Sequence, residues 1–383
     1  MVSYSQYEYD NRVHRYAESL VERGDGVDVI CLGAQDQLAY SILNGVHIYR
    51  VQKRDYSETG PMSYLLKMLI FFCLSFFTCT KHYLKKKYHI LHFHNIPDFG
   101  IFCTLIPKLM GAKVILDVHD LVPEFYQRKF GLGEGHLVVR LLKWTEKISA
   151  RYADYVITVT SLWKNTLVKR SVPEIKCSVI LNAPDPKLFY RRQTQKIGPS
   201  ESFILIYHGN LTEIFGVDLV IQAMDFIRYS IPAVELQIYG QGKNIETLTR
   251  LTKDLNLEEV VHFNSPVPRS EVPQILIRAD VGIDPKRNGI LAGEGLSSKC
   301  MEYLAVGIPA VVSKTKAAQT YYDDSMVMFF EPGNEKDLAR CVIELYNNSE
   351  KRQELTRNAM RFNRKHTWEK YKKHYYKILD SLS

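Results

Sequence analysis

"GEGLSSKCMEYLAVGIPAVV", Gly293 to Val312, carries two carboxylates, Glu294 and Glu302, with Lys299 between them and an apolar run behind. Ser297, Ser298 and Lys299 read as a helix start: a serine cap, then good helix formers to Ala305. Gly307 ends that helix and Pro309 prevents its continuation. "PAVVS" (309–313) then has the length and composition of a buried strand. The stretch is one helix-to-strand step of an alternating chain, with Glu294 on the loop before the helix and Glu302 about one turn inside it.

Working outward, the alternation repeats. "FILIYHG" (203–209), "AVELQIYG" (233–240), "VVHFN" (260–264) and "ADVGIDP" (279–285) are strand-length runs. Helices are expected over Val217 to Arg228, after Gly242, and near Val272 to Arg278. The first half opens on a short strand, "MVSYS", and an amphipathic "RVHRYAESLVERG" (12–24) that stops at Gly24. "VDVICLG" (27–33), "HILHFH" (89–94), "AKVILDVHD" (112–120), "ADYVITVT" (153–160) and "CSVILN" (177–182) follow as strands. Strands alternating with helices imply parallel pairing through right-handed crossovers. The expected class is α/β, with two Rossmann-like, doubly wound domains facing each other across a cleft. The expected boundaries are 1–188, a linker over 189–202 that loses the apolar period, 203–365, and a last helix over 366–383. Ligands of such sheets bind beyond the carboxyl ends of the strands, so strand-end residues carry the most weight.

Composition narrows the class. The chain of 383 residues is too long for one ordinary core, and 46% apolar with 24% charged residues suits a soluble globular protein. Seven cysteines without C-x-x-C spacing argue against a zinc site or disulfide framework and suit a reducing cytosol. Residues 1–20 are polar and charged, so no secretory signal is expected. The net charge of +8 lies mostly in the first half, where "KHYLKKKYH" (81–89) is densely basic. No helix-turn-helix, zinc-finger or RRM pattern accompanies it, so nucleic acid is not the expected partner. The patch follows "LLKMLIFFCLSFFTCT" (65–80), which makes an anionic membrane surface the candidate partner. Only thirteen residues lie between Lys67 and Lys81, too few to span a bilayer as a helix. The competing reading is a core helix, because a helix apolar on all sides is usually buried. The expected location is cytoplasmic, peripheral at the inner face of the cell membrane.

Strand ends supply the candidate site. Arg12, opening a helix after the first strand, either meets an anion on the acceptor side or pairs with Asp10. No G-x-G-x-x-G follows a strand, so a nicotinamide domain is unsupported. His119 in "DVHD" (117–120) is placed to hydrogen-bond a substrate hydroxyl or a developing charge, and Asp120 shares that strand end. Asp117 and Asp120 offer too few oxygens for a hard cation, and D-x-D is missing, so no metal and no other cofactor are expected. Gly209, followed by Asn210, and Gly240 with Gly242 let backbone approach a phosphate or a base. The helix start at 297–299 offers unpaired N–H groups to a diphosphate. Glu302 is then placed for ribose hydroxyls and Glu294 for a sugar ring. The bland alternative is a capping carboxylate and a surface pair with Lys299.

"EGLSSKCMEYLAVGIPAVVS" resembles the E-x7-E signature of the retaining glycosyltransferases of family 4, which have the GT-B fold. The likeness runs over nearly the whole chain, through "LHFHNIPDFGIF", "VILDVHDLVPE", "VILNAPDPKLF", "YHGNLTEIFGVDLVIQAM" and "LQIYGQG" in the family's usual order. "TWEKYKKHYYKIL" resembles the tail helix that crosses back to the first domain. The resemblance implies metal-independent transfer of a sugar from a nucleotide donor to a glycan or lipid-linked acceptor, with the anomeric configuration retained. It implies that Glu302 holds the ribose, that Glu294 sits by the sugar hydroxyls, and that Gly295, Leu296, Ser297 and Ser298 line the phosphates and sugar. His119 would be the acceptor-side histidine facing the reacting sugar.

One departure bears on mechanism. Many members carry an arginine after the first glycine of the second domain and a lysine five residues later, whereas this chain has Asn210 and Phe215. Lys299, with Lys286 or Arg287 on the loop before the helix, is the expected replacement for those cations. The leading reading is a transferase of cell-surface polysaccharide biosynthesis. The alternatives are a sugar-nucleotide epimerase of the same architecture and a catalytically weak GT-B partner protein.

Overall fold

The computed structural model describes residues 1–54, 61–190, 202–289 and 293–382. Most of the expected 189–202 linker lies outside them. The chain divides into two compact units: Met1–Leu181 with Lys372–Ser383, and Asn182–Tyr371.

The first unit is built on an eight-stranded sheet. Its strands are β1 (Val2–Gln6), β2 (Asp28–Gly33), β3 (Tyr40–Leu43), β4 (Val46–Lys53), β5 (Ile90–His94), β6 (Lys113–Val118), β7 (Tyr155–Thr158) and β8 (Cys177–Val179). They lie in the order β3-β4-β2-β1-β5-β6-β7-β8, parallel except for β3. The β3–β4 hairpin is not among the expected elements, although Asn44-Gly45 marks it. Both residues have positive φ (49° and 80°), as the tight turn matching strand twist requires.

The crossovers fix which helices share a face. The steps β4 to β5, β5 to β6 and β6 to β7 all run the same way across the sheet, while β1 to β2 runs the opposite way. Right-handed connections therefore put the Pro61–Lys86 helix, the Asp98–Thr104 turn and the Leu137–Tyr152 helix on one face, and the Asn11–Arg23 helix on the other. On that second face the end of the Trp368–Leu382 helix also docks: Tyr375 is fully buried, its hydroxyl 2.9 Å from His92 Nδ1 and its ring 4.4 Å from that of Tyr16.

The second unit has six parallel strands: β9 (Phe203–His208), β10 (Val234–Tyr239), β11 (Val261–Asn264), β12 (Val281–Asp284), β13 (Ala310–Ser313) and β14 (Met328–Phe330). Their order is β11-β10-β9-β12-β13-β14, a doubly wound arrangement that reverses between β9 and β12. Its core packs Leu205, Tyr207, Val220, Met224, Leu236 and Ile283, all fully buried. Each such aliphatic side chain contributes about 1.5–3 kcal/mol. The short β14 is also unexpected from sequence, because three residues give too little alternation to read.

Candidate active site

In the first unit the sheet register assembles a polar cluster at the carboxyl ends of β5 and β6. His92 and His94 alternate along β5 and so share a face, and His94 pairs in register with Asp117 of β6. The Asn11–Arg23 helix drops Arg12 onto that face. Arg12 donates from Nε and Nη2 to the two oxygens of Asp117, both at 2.8 Å, and from Nη1 to the Ile180 carbonyl. Of the two expectations for Arg12, an anion on the acceptor side or a pair with Asp10, its side-chain bonds to a carboxylate go to Asp117 and not to Asp10. Asp10 caps its own helix by accepting from the Arg12 and Val13 N–H groups, so the Arg12 side chain reaches the deeper carboxylate. Burial alone would raise the Asp117 pKa, but the Arg12 guanidinium and His119 outweigh it and hold the carboxyl well below its usual range.

His119 stands at the edge of this cluster. Its Nε2 lies 3.1 Å from Asp117 Oδ2 and 3.0 Å from His94 Nδ1, so its other ring nitrogen is the outer one. The Asn95 side chain fixes the loop: its oxygen accepts from the His119 N–H at 2.6 Å, and its nitrogen donates to the Asp120 carbonyl and to Asp98. A neutral amide can both donate and accept, which is what this loop needs at position 95. His94 is buried and its pKa is lowered to about 4 by desolvation, partly opposed by Asp117. His92, His94, Asn95 and Asp98 are not among the site residues expected from sequence. The signal that marks them is H-x-H on a strand beside D-x-H.

His92, His94 and Asp117 offer donor atoms within 4.8 Å of one another, a grouping able to hold a metal ion. Both Asp117 oxygens are already engaged by Arg12, however, so the guanidinium supplies the positive charge there. A cavity of about 410 Å³ opens at the opposite end of this sheet, lined by Met1, Asp28, Lys86 and His89, away from the strand ends that carry His119.

In the second unit the Ser298–Val306 helix begins where the sequence places it, with Ser297 at the cap position and Gly307 in the left-handed region at its end. The cap itself differs from expectation. The Ser297 hydroxyl donates to Asp284 at 3.0 Å and makes no hydrogen bond to the helix N–H groups. Buried Asp284 thus draws the hydroxyl inward and leaves the first turn without a side-chain cap.

Lys299 is buried beside that turn. Its Nζ lies 4.0 Å from the Phe215 ring centroid and 5.5 Å from that of Tyr207. Among the described residues it makes no hydrogen bond and no close ion pair. Burial lowers its pKa, partly opposed by Asp284 and Glu302. Gly209 is what makes room: a Cβ there would come within 2.5 Å of Lys299 Cε, and its φ of 123° suits glycine. Gly240 serves the same loop differently, since a Cβ there would meet the Gly209 carbonyl oxygen at 1.9 Å.

The other expected cations are engaged. Lys286 Nζ donates to the Gly295 carbonyl at 2.7 Å, and Arg287 pairs with Asp218 and donates to the Glu213 carbonyl. Glu294 is helical together with Gly293, not in an open loop, and pairs with Lys316 at 2.8 Å, not with Lys299. Glu302 lies 3.2 Å from His208 Nε2. Burial, with help from Lys299, lowers the His208 pKa to about 3, so that ring is neutral near pH 7.

Comparison with known proteins agrees with this architecture. Residues 10–188 match Glycosyltransferase Family 4, and residues 190–362 match Glycosyl transferases group 1. A GDP-mannose-dependent α-(1-6)-phosphatidylinositol monomannoside mannosyltransferase from Mycolicibacterium smegmatis is 32% identical over 36% of this chain and 36% of its own length. The putative colanic acid biosynthesis glycosyltransferase WcaL of Escherichia coli is 30% identical over 42% of this chain and 39% of its own. The chain thus spans well under half the length of these curated relatives. Among solved structures, sucrose-phosphate synthase from Thermosynechococcus elongatus superposes with a TM-score of 0.81 at 17% identity, covering 100% of this chain and 98% of that one. Anabaena HepE in complex with UDP-glucose gives 0.76 at 15% identity, covering 99% and 98%. With both halves matched in order and the GT-B fold reproduced along its length, the chain belongs to glycosyltransferase family 4.

Proposed function

We propose that the protein transfers a sugar from a nucleoside-diphosphate donor to a glycan or lipid-linked acceptor, with retention and without a metal, in cell-surface polysaccharide biosynthesis. One observation carries the reading: a buried ammonium, Lys299, without a close carboxylate partner among the described residues, beside an uncapped helix start. Both features favour an anion, and a diphosphate leaving group is the anion this chemistry produces. Lys299 lies over Phe215, the position at which the family resemblance implies a lysine, so in this reading it supplies that charge from another element. Arg287 is neutralised by Asp218 and contributes less.

In this reading Gly209, Asn210, Gly240, Gly242 and Gly295 to Ser298 surround the donor, Glu302 holds the ribose, and Glu294 positions the sugar. His119 serves the acceptor side with its outer ring nitrogen, held by Asp117 and His94, while Arg12 acts through Asp117 and not by direct contact. Catalysis is then mainly electrostatic and positional. The test is a nucleotide-sugar panel read by nucleoside diphosphate release, with Glu294→Ala as control. One donor should support acceptor-dependent release that the variant loses. Conversion of the donor to an epimer without any acceptor would overturn the reading.

A further inference from the structure

The Pro61–Lys86 helix is expected from sequence either to bury itself on all sides or to meet a membrane. It does neither in full. The count between Lys67 and Lys81 understates it, since Met62–Lys86 is long and apolar enough to cross a membrane. Phe71, Ser75, Cys79 and Tyr83 are nevertheless buried against the sheet, so one side of the helix is held to its unit. Its opposite face is apolar and exposed, with Leu66 at 57% and Phe77 at 70%.

A second helix on the same face of the sheet repeats the pattern. Leu137–Tyr152 exposes Leu137 at 76% and Trp144 at 58%, and both helices pack against the Asp98–Thr104 turn between them. Leu109, 76% exposed, lies just beyond that turn. Charge follows one sign. The Pro61–Lys86 helix has no acidic residue, and the only one in Leu137–Tyr152, Glu146, is buried against Arg170. Exposed Lys81, Lys85, Arg140 and Lys147 border the apolar residues.

We propose that this face docks on an anionic lipid surface, the two helices lying in the interface with their apolar sides among the acyl chains and their lysines and arginines at the headgroups. Large apolar side chains left exposed on adjoining elements of one face mark an interaction surface, and the basic border matches lipid phosphate. A second copy of the same face would instead bring like charges together. The docking stands on this surface alone and is independent of the transferase reading.

Trp144 provides the probe, because Trp163 and Trp368 are buried. The full chain is mixed with phosphatidylcholine vesicles with and without phosphatidylglycerol, and flotation and tryptophan emission are followed. Anionic vesicles should carry the protein and shift its emission to the blue, and Trp144→Phe should remove the shift. Leu66→Glu with Phe77→Glu should weaken flotation by about tenfold or more. Lys81→Gln and Lys85→Gln should each weaken it roughly fivefold at low salt. Absence of flotation at low salt, or flotation indifferent to the Leu66/Phe77 pair, overturns the proposal. So does a lipid-free dimer that this pair dissolves, which would make a second copy the occupant.

Discussion

Asp117 in the first unit and Lys299 in the second are both ionisable groups taken out of water, but their surroundings differ. Asp117 receives two hydrogen bonds from Arg12 and lies 3.1 and 3.3 Å from two imidazoles. Lys299 has aromatic faces and more distant carboxylates. A buried charge with a full set of partners holds structure in place. One left without a close counter-charge carries a desolvation penalty that a ligand anion can relieve. In the first unit the charge helps to fix His119, whereas in the second it has no close counter-charge among the described residues.

Substitutions can break this contrast. Asp117→Ala should be the most damaging, lowering stability by about 3–5 kcal/mol because it strands the buried Arg12 guanidinium. Chemical denaturation at neutral pH measures it, and a loss below about 1 kcal/mol would show that Arg12 finds another partner. Lys299→Met should do the reverse. Diphosphate release should fall by about 10²–10³-fold, as when one transition-state donor is removed, while the melting temperature holds or rises. Arg287→Ala, its control, should stay within about threefold.

The smallest effect is a pH dependence. His94 titrates near 4 in the folded chain against 6.5 when unfolded, so the unfolded state binds the proton first. Its stabilisation is present above pH 6.5 and is lost as pH falls toward 4, by at most about 3 kcal/mol. Denaturation midpoints followed across that range should fall less steeply in His94→Asn. Equal slopes would remove His94 from the account.

Much of the second unit is legible in local pattern. The helix start at Ser298, its stop at Gly307 and the following strand all occur where the sequence places them, although Ser297 bonds Asp284 instead of capping the helix. The hairpin at Asn44-Gly45 carries an equally local signal, in a turn pair that tolerates positive φ. The partners are harder. Arg12 lies near Asp10 in sequence but bonds Asp117, and Lys299 lies between Glu294 and Glu302 but approaches Phe215. The exposed face of the Pro61–Lys86 helix is hidden for a related reason: its composition is apolar on every side, and only the sheet beneath decides which side is covered.

Residue types and their spacing determined most of the strands and helices, because these depend on periods of two and about 3.6 residues and on backbone chemistry within one turn. Tertiary structure decided which charge meets which. Strand register set His94 against Asp117, and the Asn11–Arg23 helix delivered Arg12 to them from 105 residues away. Pairing of buried charges is a matter of distance and desolvation in space, and neither quantity is written along the chain.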